Sequence, residues 1–206
     1  MIRTLAHQKL GGGYSHGPKI IVDTCELEPG LFETMALRPG GDEIEVRQTH
    51  DEKQALVDFR EVLMNQAGPI QKAFLEADMQ PGERYTLFRM NEFGTPVAEK
   101  FTFKALKLTT YAQHRDVIEL TCRPARMRGD RNIMISSGSF AICKGWQDLP
   151  EDFGYEVTDR GNGVVTKMSK YCCFDARLFE DMKAITKDAL VIREDYRRGV
   201  NGKLYA

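Results

Sequence analysis

The segment from Cys25 to Met64 constrains the fold of this 206-residue chain most, because it predicts two strands and a helix in immediate succession. Leu31–Leu37 and Glu43–Gln48 flank the turn sequence PGGD, whose proline and glycines suit a tight reversal of the backbone. In the second strand, Ile44 and Val46 alternate with charged residues, which predicts one buried apolar face and one wet face. The segment is therefore expected to begin as a β-hairpin.

A helix is predicted directly after the hairpin. Thr49 and Glu52 have the spacing of a capping box, in which each side chain bonds the backbone amide of the other residue. Asp58, Arg60 and Glu61 are expected on the solvent side of this helix. The apolar residues at helical spacing are expected to face the hairpin: Ala55, Leu56, Phe59, Val62 and Leu63. Hairpin and helix together predict a compact ββα unit, the start of an α+β fold.

The sequence PGLFETM at residues 29–35, the turn, the acidic second strand and the helix resemble a known group of sequences. These are uncharacterised proteins encoded in bacteriophages and prophages, which share a Phe/Tyr-Glu-Thr-Met hairpin followed by a helix. The resemblance covers residues 25–64. It implies a mobile-element origin, but no activity and no site residues come with it.

The composition is that of a globular chain without an overall electrostatic bias. Hydrophobic residues make up 42% of the chain and the formal net charge is −1, so a basic binding site would have to be local. The sequence has no apolar run of about 20 residues and no secretory leader pattern, which predicts that it has no membrane partner. We therefore expect a protein of the host-cell cytoplasm or a component of a virion.

Turn signals and composition predict four regions. Residues 1–18, which contain GGGYSHGP, are expected to be a flexible N-terminal arm, and residues 19–80 to be the hairpin–helix unit. Residues 81–191 consist mostly of predicted antiparallel strands, typical of a β-rich sandwich or a small barrel. A C-terminal helix over Asp175–Val191 is expected to cover this domain, and residues 192–206 to be a polar tail.

The cysteines and histidines show no recognisable reaction centre. Cys25, Cys122 and Cys143 fall in predicted strands and no Cys-x-x-Cys spacing occurs, so reduced thiols are expected. The adjacent pair Cys172-Cys173 has no further zinc ligand nearby in the sequence. A cysteine with His114 as its base is the arrangement that would make a small enzyme. No catalytic, metal or cofactor residue is assigned, and a non-catalytic role is favoured.

The strongest local charge feature is RPARMRGDR at residues 123–131. Guanidinium groups bind phosphate through paired hydrogen bonds, so this loop is a candidate nucleic-acid site. Ion pairing with neighbouring carboxylates is the alternative. The four arginines concerned are Arg123, Arg126, Arg128 and Arg131.

The function favoured by the sequence is that of a non-catalytic phage or prophage protein that acts through protein–protein interaction. It would be a virion component or a modulator of a host factor or defence system, with a phage structural protein or a host protein as its partner. Nucleic-acid binding through the arginine loop is the second hypothesis, a small Cys/His enzyme the third, and a homo-oligomer stays open. Loop aromatic residues are the interface candidates: Tyr14, Phe93, Trp146 and Phe153.

Overall fold

The computed structural model of the chain describes residues 2–10, 20–38, 40–91, 95–111, 114–135, 138–161, 163–169 and 176–193. The first elements are β1 (Arg3–Leu10), β2 (Ile20–Glu28), β3 (Leu31–Leu37), β4 (Glu43–Thr49), α1 (Glu52–Gln66) and α2 (Pro69–Ala77). Six strands follow: β5 (Arg84–Met90), β6 (Pro96–Tyr111), β7 (His114–Pro124), β8 (Arg131–Ile135), β9 (Phe140–Lys144) and β10 (Tyr155–Asp159). The last elements are β11 (Val165–Ser169), α3 (Ala176–Ile185) and β12 (Ala189–Arg193).

The first four strands form one antiparallel sheet in the order β1-β2-β3-β4, and α1 packs on one of its faces. Phe32, Thr34 and Ala36 alternate along β3 and are buried on the side of the helix. The hydroxyl of Thr34 donates to the carbonyl of Ala55 in α1 at 3.3 Å, which ties the helix to the middle of the sheet. The predicted hairpin followed by a helix is thus present, with two further strands beside it.

The start of α1 differs from the predicted capping box of Thr49 with Glu52, which was wrong. Asp51 is the N-cap, and its carboxylate accepts from the amide of Lys53 at 2.8 Å. The hydroxyl of Thr49 accepts instead from the amide of Asp51 at 3.2 Å. Asp is as good an N-cap as Thr or better, so the helix begins at the residue that follows it.

Residues 3–10, which the sequence placed in a flexible arm, form the edge strand β1. The sheet pairs Gln8 with Val22 and Leu10 with Ile20 in an antiparallel ladder. The glycine-rich residues 11–18 lie outside the described residues.

The predicted sandwich or barrel over residues 81–191 was wrong. Six strands form a single open sheet in the order β12-β9-β5-β6-β7-β8, and β10 pairs only with β11 in the described part of the chain. A barrel would need its two end strands to pair, whereas β12 and β8 lie at opposite ends of this order and are not paired among the described residues. Strands therefore dominate the described structure, and the α+β description is only roughly compatible with it.

The predicted closing helix over Asp175–Val191 was also wrong. α3 ends at Ile185, where the amide and hydroxyl of Thr186 both donate to the carbonyl of Met182. The chain then reverses and returns as β12, which pairs with β9. Val191 and Ile192 are β-branched, and such side chains favour a strand over a helix. The last described element is therefore a strand.

The residues group by their contacts into two compact units. One comprises residues 1–78, 106–120 and 132–136, and the other comprises residues 79–105, 121–131 and 137–206. Two of the boundaries between the units fall within β6 and β7, so the chain leaves each unit and returns to it. In the second unit, Phe88, Cys143 and Met182 form a buried cluster.

Candidate protein-interaction surface

The four-stranded sheet has one face covered by α1, and the partly exposed side chains of β2, β3 and β4 define its other face, which we call the open face, among the described residues. Val22 and Thr24 of β2 point to the helix side and are buried, as are the alternate residues of β3 described above. The residues between them point to the other side of the sheet, because side chains alternate along a strand. The open face is therefore defined by the positions of β2, β3 and β4 that do not face α1.

Apolar side chains meet at the centre of this open face. Ile21 lies directly opposite Leu37, and Met35 lies directly opposite Val46. Ile44 sits at the irregularity of β4 that faces Leu37. Val46 is 41% exposed, and the other four residues are partly exposed. We call these five residues the open-face patch: Ile21, Met35, Leu37, Ile44 and Val46.

Polar and charged groups surround the open-face patch. Nδ1 of His7 is hydrogen-bonded to the carboxylate of Asp23, which lies opposite Met35. The amide of Gln48 donates to the carboxylate of Glu33 at 2.6 Å on the other side of the patch. An apolar centre with a polar rim is the usual anatomy of a protein–protein interface.

An antiparallel sheet that keeps one face in water normally carries polar residues there. Five apolar residues from three neighbouring strands break that pattern and leave cross-strand apolar pairs in contact with solvent. Contiguous exposed apolar surface on a globular protein marks sites of interaction with proteins or other ligands. The open-face patch is thus the candidate functional site of this chain.

The sequence reasoning missed this site because it assigned the faces of β4 the wrong way round. Ile44 and Val46 were predicted to be buried, whereas Glu45 and Arg47 are the residues that face α1. Arg47 bonds Glu45 at 2.8 Å and also bonds Glu61 of the helix. Both carboxylates raise the pKa of the Arg47 guanidinium, and Glu61 has the larger effect. Arg47 is the signal that could have revealed which face of β4 packs against the helix, because it is a single arginine that pairs with the acidic residues Asp58 and Glu61 of α1.

The arginine loop does not present four converging cations. Arg123 bonds the carboxylate of Asp130 at 3.4 Å, and Lys104 bonds the same carboxylate at 2.5 Å. The hydrogen bond from Lys104 is the main reason that the pKa of Asp130 is lowered. Arg131 pairs instead with Glu99 of β6 at 3.3 Å. Arg126 and Arg128 are exposed at the tip, and no described carboxylate pairs with them.

The aromatic candidates occupy different environments. Arg84 lies over the ring of Trp146 at 4.4 Å, and the indole nitrogen donates to the carbonyl of Phe101 at 3.3 Å, although the residue is 42% exposed. Phe153 packs against the cluster of Phe88, Cys143 and Met182 and contributes to the core of its unit. Tyr14 and Phe93 lie outside the described residues.

The two buried cysteines, Cys122 and Cys143, do not have the properties of a nucleophile. Burial raises the pKa of the Cys122 thiol, and burial raises that of Cys143 to about 11. A nucleophilic cysteine needs the opposite shift, towards the thiolate. The Cys172-Cys173 pair and the side chain of His114 lie outside the described part of the structure.

Among the described residues, no group of histidines, cysteines and carboxylates has the arrangement of a metal site. None of the described helices has the length and apolar character needed to cross a membrane. Comparison of the chain with protein-family models, curated proteins and solved structures found no match. The phage resemblance of residues 25–64 stays a prediction.

Proposed function

We propose that this protein is a non-catalytic binding protein that recognises another protein through the open-face patch. The observation that carries the proposal is the pair of apolar cross-strand contacts, Ile21 with Leu37 and Met35 with Val46, on the wet face of the sheet. The phage or prophage origin, as a virion component or a modulator of a host protein, belongs to the same proposal and has the sequence resemblance as its support.

The chemistry of the patch fits a protein partner. Its side chains are aliphatic or thioether groups, which gain free energy when they leave water and are not selective for a charged ligand. The His7–Asp23 and Gln48–Glu33 contacts at the rim offer polar groups that can orient a partner. β4 is an edge strand of the sheet formed by the described residues, so its outward backbone groups also offer a place for a partner strand.

The test is affinity capture of the tagged full chain from its native cells, with half of each lysate treated with nuclease. We expect a nuclease-resistant partner at near-stoichiometric yield with the wild-type chain. Val46→Lys places a charge in the apolar centre and should abolish recovery of that partner. Val46 is already exposed, so this change is expected to leave the fold intact.

Val165→Lys is the matched control, since Val165 is an exposed strand valine of β11 in the other unit. It should recover the partner as the wild type does. Equal recovery by the Val46→Lys and wild-type chains, with both folded by thermal unfolding, would refute the role of the open face.

Nucleic-acid binding is the second candidate, favoured by the exposed Arg126 and Arg128 at the tip of the β7–β8 loop. Phosphate contacts by two arginines predict binding that weakens as salt increases. Recovery that disappears after nuclease treatment, and also in the double variant Arg126→Ala/Arg128→Ala, would shift the function to this loop.

A further inference from the structure

The six-stranded sheet has a polar and aromatic area at the start of β5. Arg84 and Phe88 lie on the same face of this sheet, because they are an even number of residues apart along the strand. Phe88 packs into the buried cluster with Cys143 and Met182, whereas Arg84 is exposed. This face of β5 is therefore buried towards its end and exposed at its start.

A row of side chains crosses three strands at this exposed start. Arg84 lies directly opposite Thr102 of β6. The neighbouring strands β6 and β7 are joined by only two residues and so run antiparallel. The amide of Ala125, just after β7, donates to the carbonyl of Lys100 at 2.9 Å, and the antiparallel register then brings Arg123 beside Thr102. Arg84, Thr102 and Arg123 consequently form one row on a single face of the sheet.

Basic side chains outnumber their acidic partners around this row. Lys100 and Lys104 occupy the positions of β6 on either side of the row and lie on the same face. Lys104 bonds the carboxylate of Asp130 at 2.5 Å and Arg123 bonds it at 3.4 Å, so two cations share one anion. Lys100 pairs with Asp148 at 2.6 Å. Together with the arginine of β5, these cations exceed the two carboxylates that they contact and leave the surface positively charged.

Trp146 adds an aromatic ring at one end of the row. Its indole nitrogen donates to the carbonyl of Phe101 at 3.3 Å, which holds the ring in place while the residue stays 42% exposed. The guanidinium of Arg84 lies 4.4 Å from the centre of the ring. An aromatic ring with a guanidinium beside it is a combination on which unpaired nucleic-acid bases stack.

We propose that this surface binds single-stranded nucleic acid. A base stacks on the ring of Trp146 and the guanidinium of Arg84, and neighbouring phosphates bind Arg123 and Lys104, which exchange their shared carboxylate for a phosphate. The bases of a duplex already stack on each other, so a stacking site selects an unpaired strand. We call the residues concerned the Trp146 surface: Arg84, Lys100, Thr102, Lys104, Arg123 and Trp146.

The inference goes beyond the proposed function and does not depend on it. The Trp146 surface belongs to the unit of residues 79–105, 121–131 and 137–206, whereas the open-face patch belongs to the other unit. It also differs from the second candidate function, because it needs the stacked pair of Trp146 and Arg84 and does not need Arg126 and Arg128 at the loop tip. A failed capture through the open face would therefore leave this inference standing.

Trp146 is the only tryptophan of the chain, so tryptophan fluorescence reports on this surface directly. The test is a titration of the full chain with an unstructured single-stranded oligonucleotide of about 16 nucleotides, long enough for one site of this kind. We expect saturable quenching, because a base stacked on the indole changes its surroundings. Polyglutamate of similar length carries the charge without the bases and should leave the fluorescence unchanged.

Variants separate stacking from phosphate binding, with binding followed by the anisotropy of a labelled oligonucleotide. Arg84→Gln should weaken binding at least about fivefold, because it removes one member of the stack. Arg123→Gln should lower the slope of log affinity against log salt concentration by about 0.7, the contribution of one phosphate contact. Arg160→Gln, at an exposed arginine between β10 and β11 in the same unit, is the matched control and should bind like the wild type.

Arg84 and Arg123 are exposed, so both variants are expected to fold, and thermal unfolding checks this. A wild type whose fluorescence does not respond to the oligonucleotide would overturn the proposal, as would unchanged binding by both variants. An equal response to polyglutamate would overturn it too, and would assign the surface to acidic polypeptides. Binding that is lost only in Arg126→Ala/Arg128→Ala would place the nucleic acid on the loop tip instead.

Discussion

Cys143 lies in β9 beside Phe88 and Met182, and burial raises the pKa of its thiol from the ordinary 9.0 to about 11. The folded protein therefore keeps this thiol neutral at a pH where the unfolded chain ionises it. The resulting stabilisation is complete below pH 9 and is lost as the pH rises from 9 to 11. We expect the ionisation of Cys143 to lower the free energy of unfolding by about 2 kcal/mol across that pH range.

Chemical unfolding at several pH values checks this expectation. Cys143→Ala should be less stable than the wild type at pH 8 because it leaves a cavity, yet it should lose less stability on going to high pH. Val191→Ala, which leaves a cavity in the neighbouring strand β12 and removes no titratable group, should keep the wild-type pH dependence. Identical slopes for the wild type and Cys143→Ala would contradict the assigned cause.

The sequence predicted least well on which side of its strand or helix each residue lies. Helical periodicity places Leu56 with Ala55 and Phe59, and it places Asp58 with the charged residues. Asp58 is buried because Arg47 of β4 reaches it, and a contact between two elements leaves no trace in the periodicity of one helix. The open-face patch was missed for this reason.

At the scale of elements, Gln71 shows how one polar side chain fixes a helix. It is 2% exposed in α2, and its amide nitrogen donates to the carbonyls of Thr109 and Val117 at 3.1 Å each. Its amide oxygen accepts from the backbone of Gly68 at 3.1 Å. Gln71→Leu removes these three hydrogen bonds from the interior of the fold, so we expect a loss of about 2–4 kcal/mol of unfolding free energy.

Denaturant unfolding measures that loss. Glu76→Leu is the comparison, because Glu76 is an exposed residue of the same helix and the substitution introduces the same side chain. It should change the unfolding free energy by less than about 0.5 kcal/mol. A Gln71→Leu protein as stable as Glu76→Leu would show that the amide contacts do not stabilise α2.

Elements with strong local signals were predicted with nearly correct bounds. The strand over Leu31–Leu37 is confirmed, and β4 extends the predicted Glu43–Gln48 by one residue. Pro69 starts α2, since its ring suits the first helical position. The predicted closing helix was wrong beyond Ile185. The apolar residues between 178 and 189 have helical spacing in the sequence, but after Ile185 the pairing of β12 with β9 decides the conformation.

At the scale of the whole molecule, the first unit is assembled from three separate stretches of the chain. Residues 106–120 and 132–136 belong with residues 1–78, although residues 79–105 and 121–131 of the other unit lie between these stretches in the chain. Gln71 and Gln8 both donate to carbonyls of β6, at Thr109 and Leu108. Leu108, Val117 and Ile118 are buried within this unit. The unit therefore depends on residues that follow the sequence boundary near residue 80.

A fragment of residues 1–80 is accordingly expected not to fold cooperatively, although it contains the whole hairpin–helix segment. It lacks the acceptors of Gln71 and the apolar residues of β6 and β7, so α2 would lose both its polar and its apolar contacts. Amide hydrogen exchange should show unprotected α2 amides in this fragment and protected ones in residues 1–136, which retain all three stretches. Protection of α2 in the shorter fragment would mean that the local ββα signals suffice, and that β6 and β7 add to a unit already stable without them.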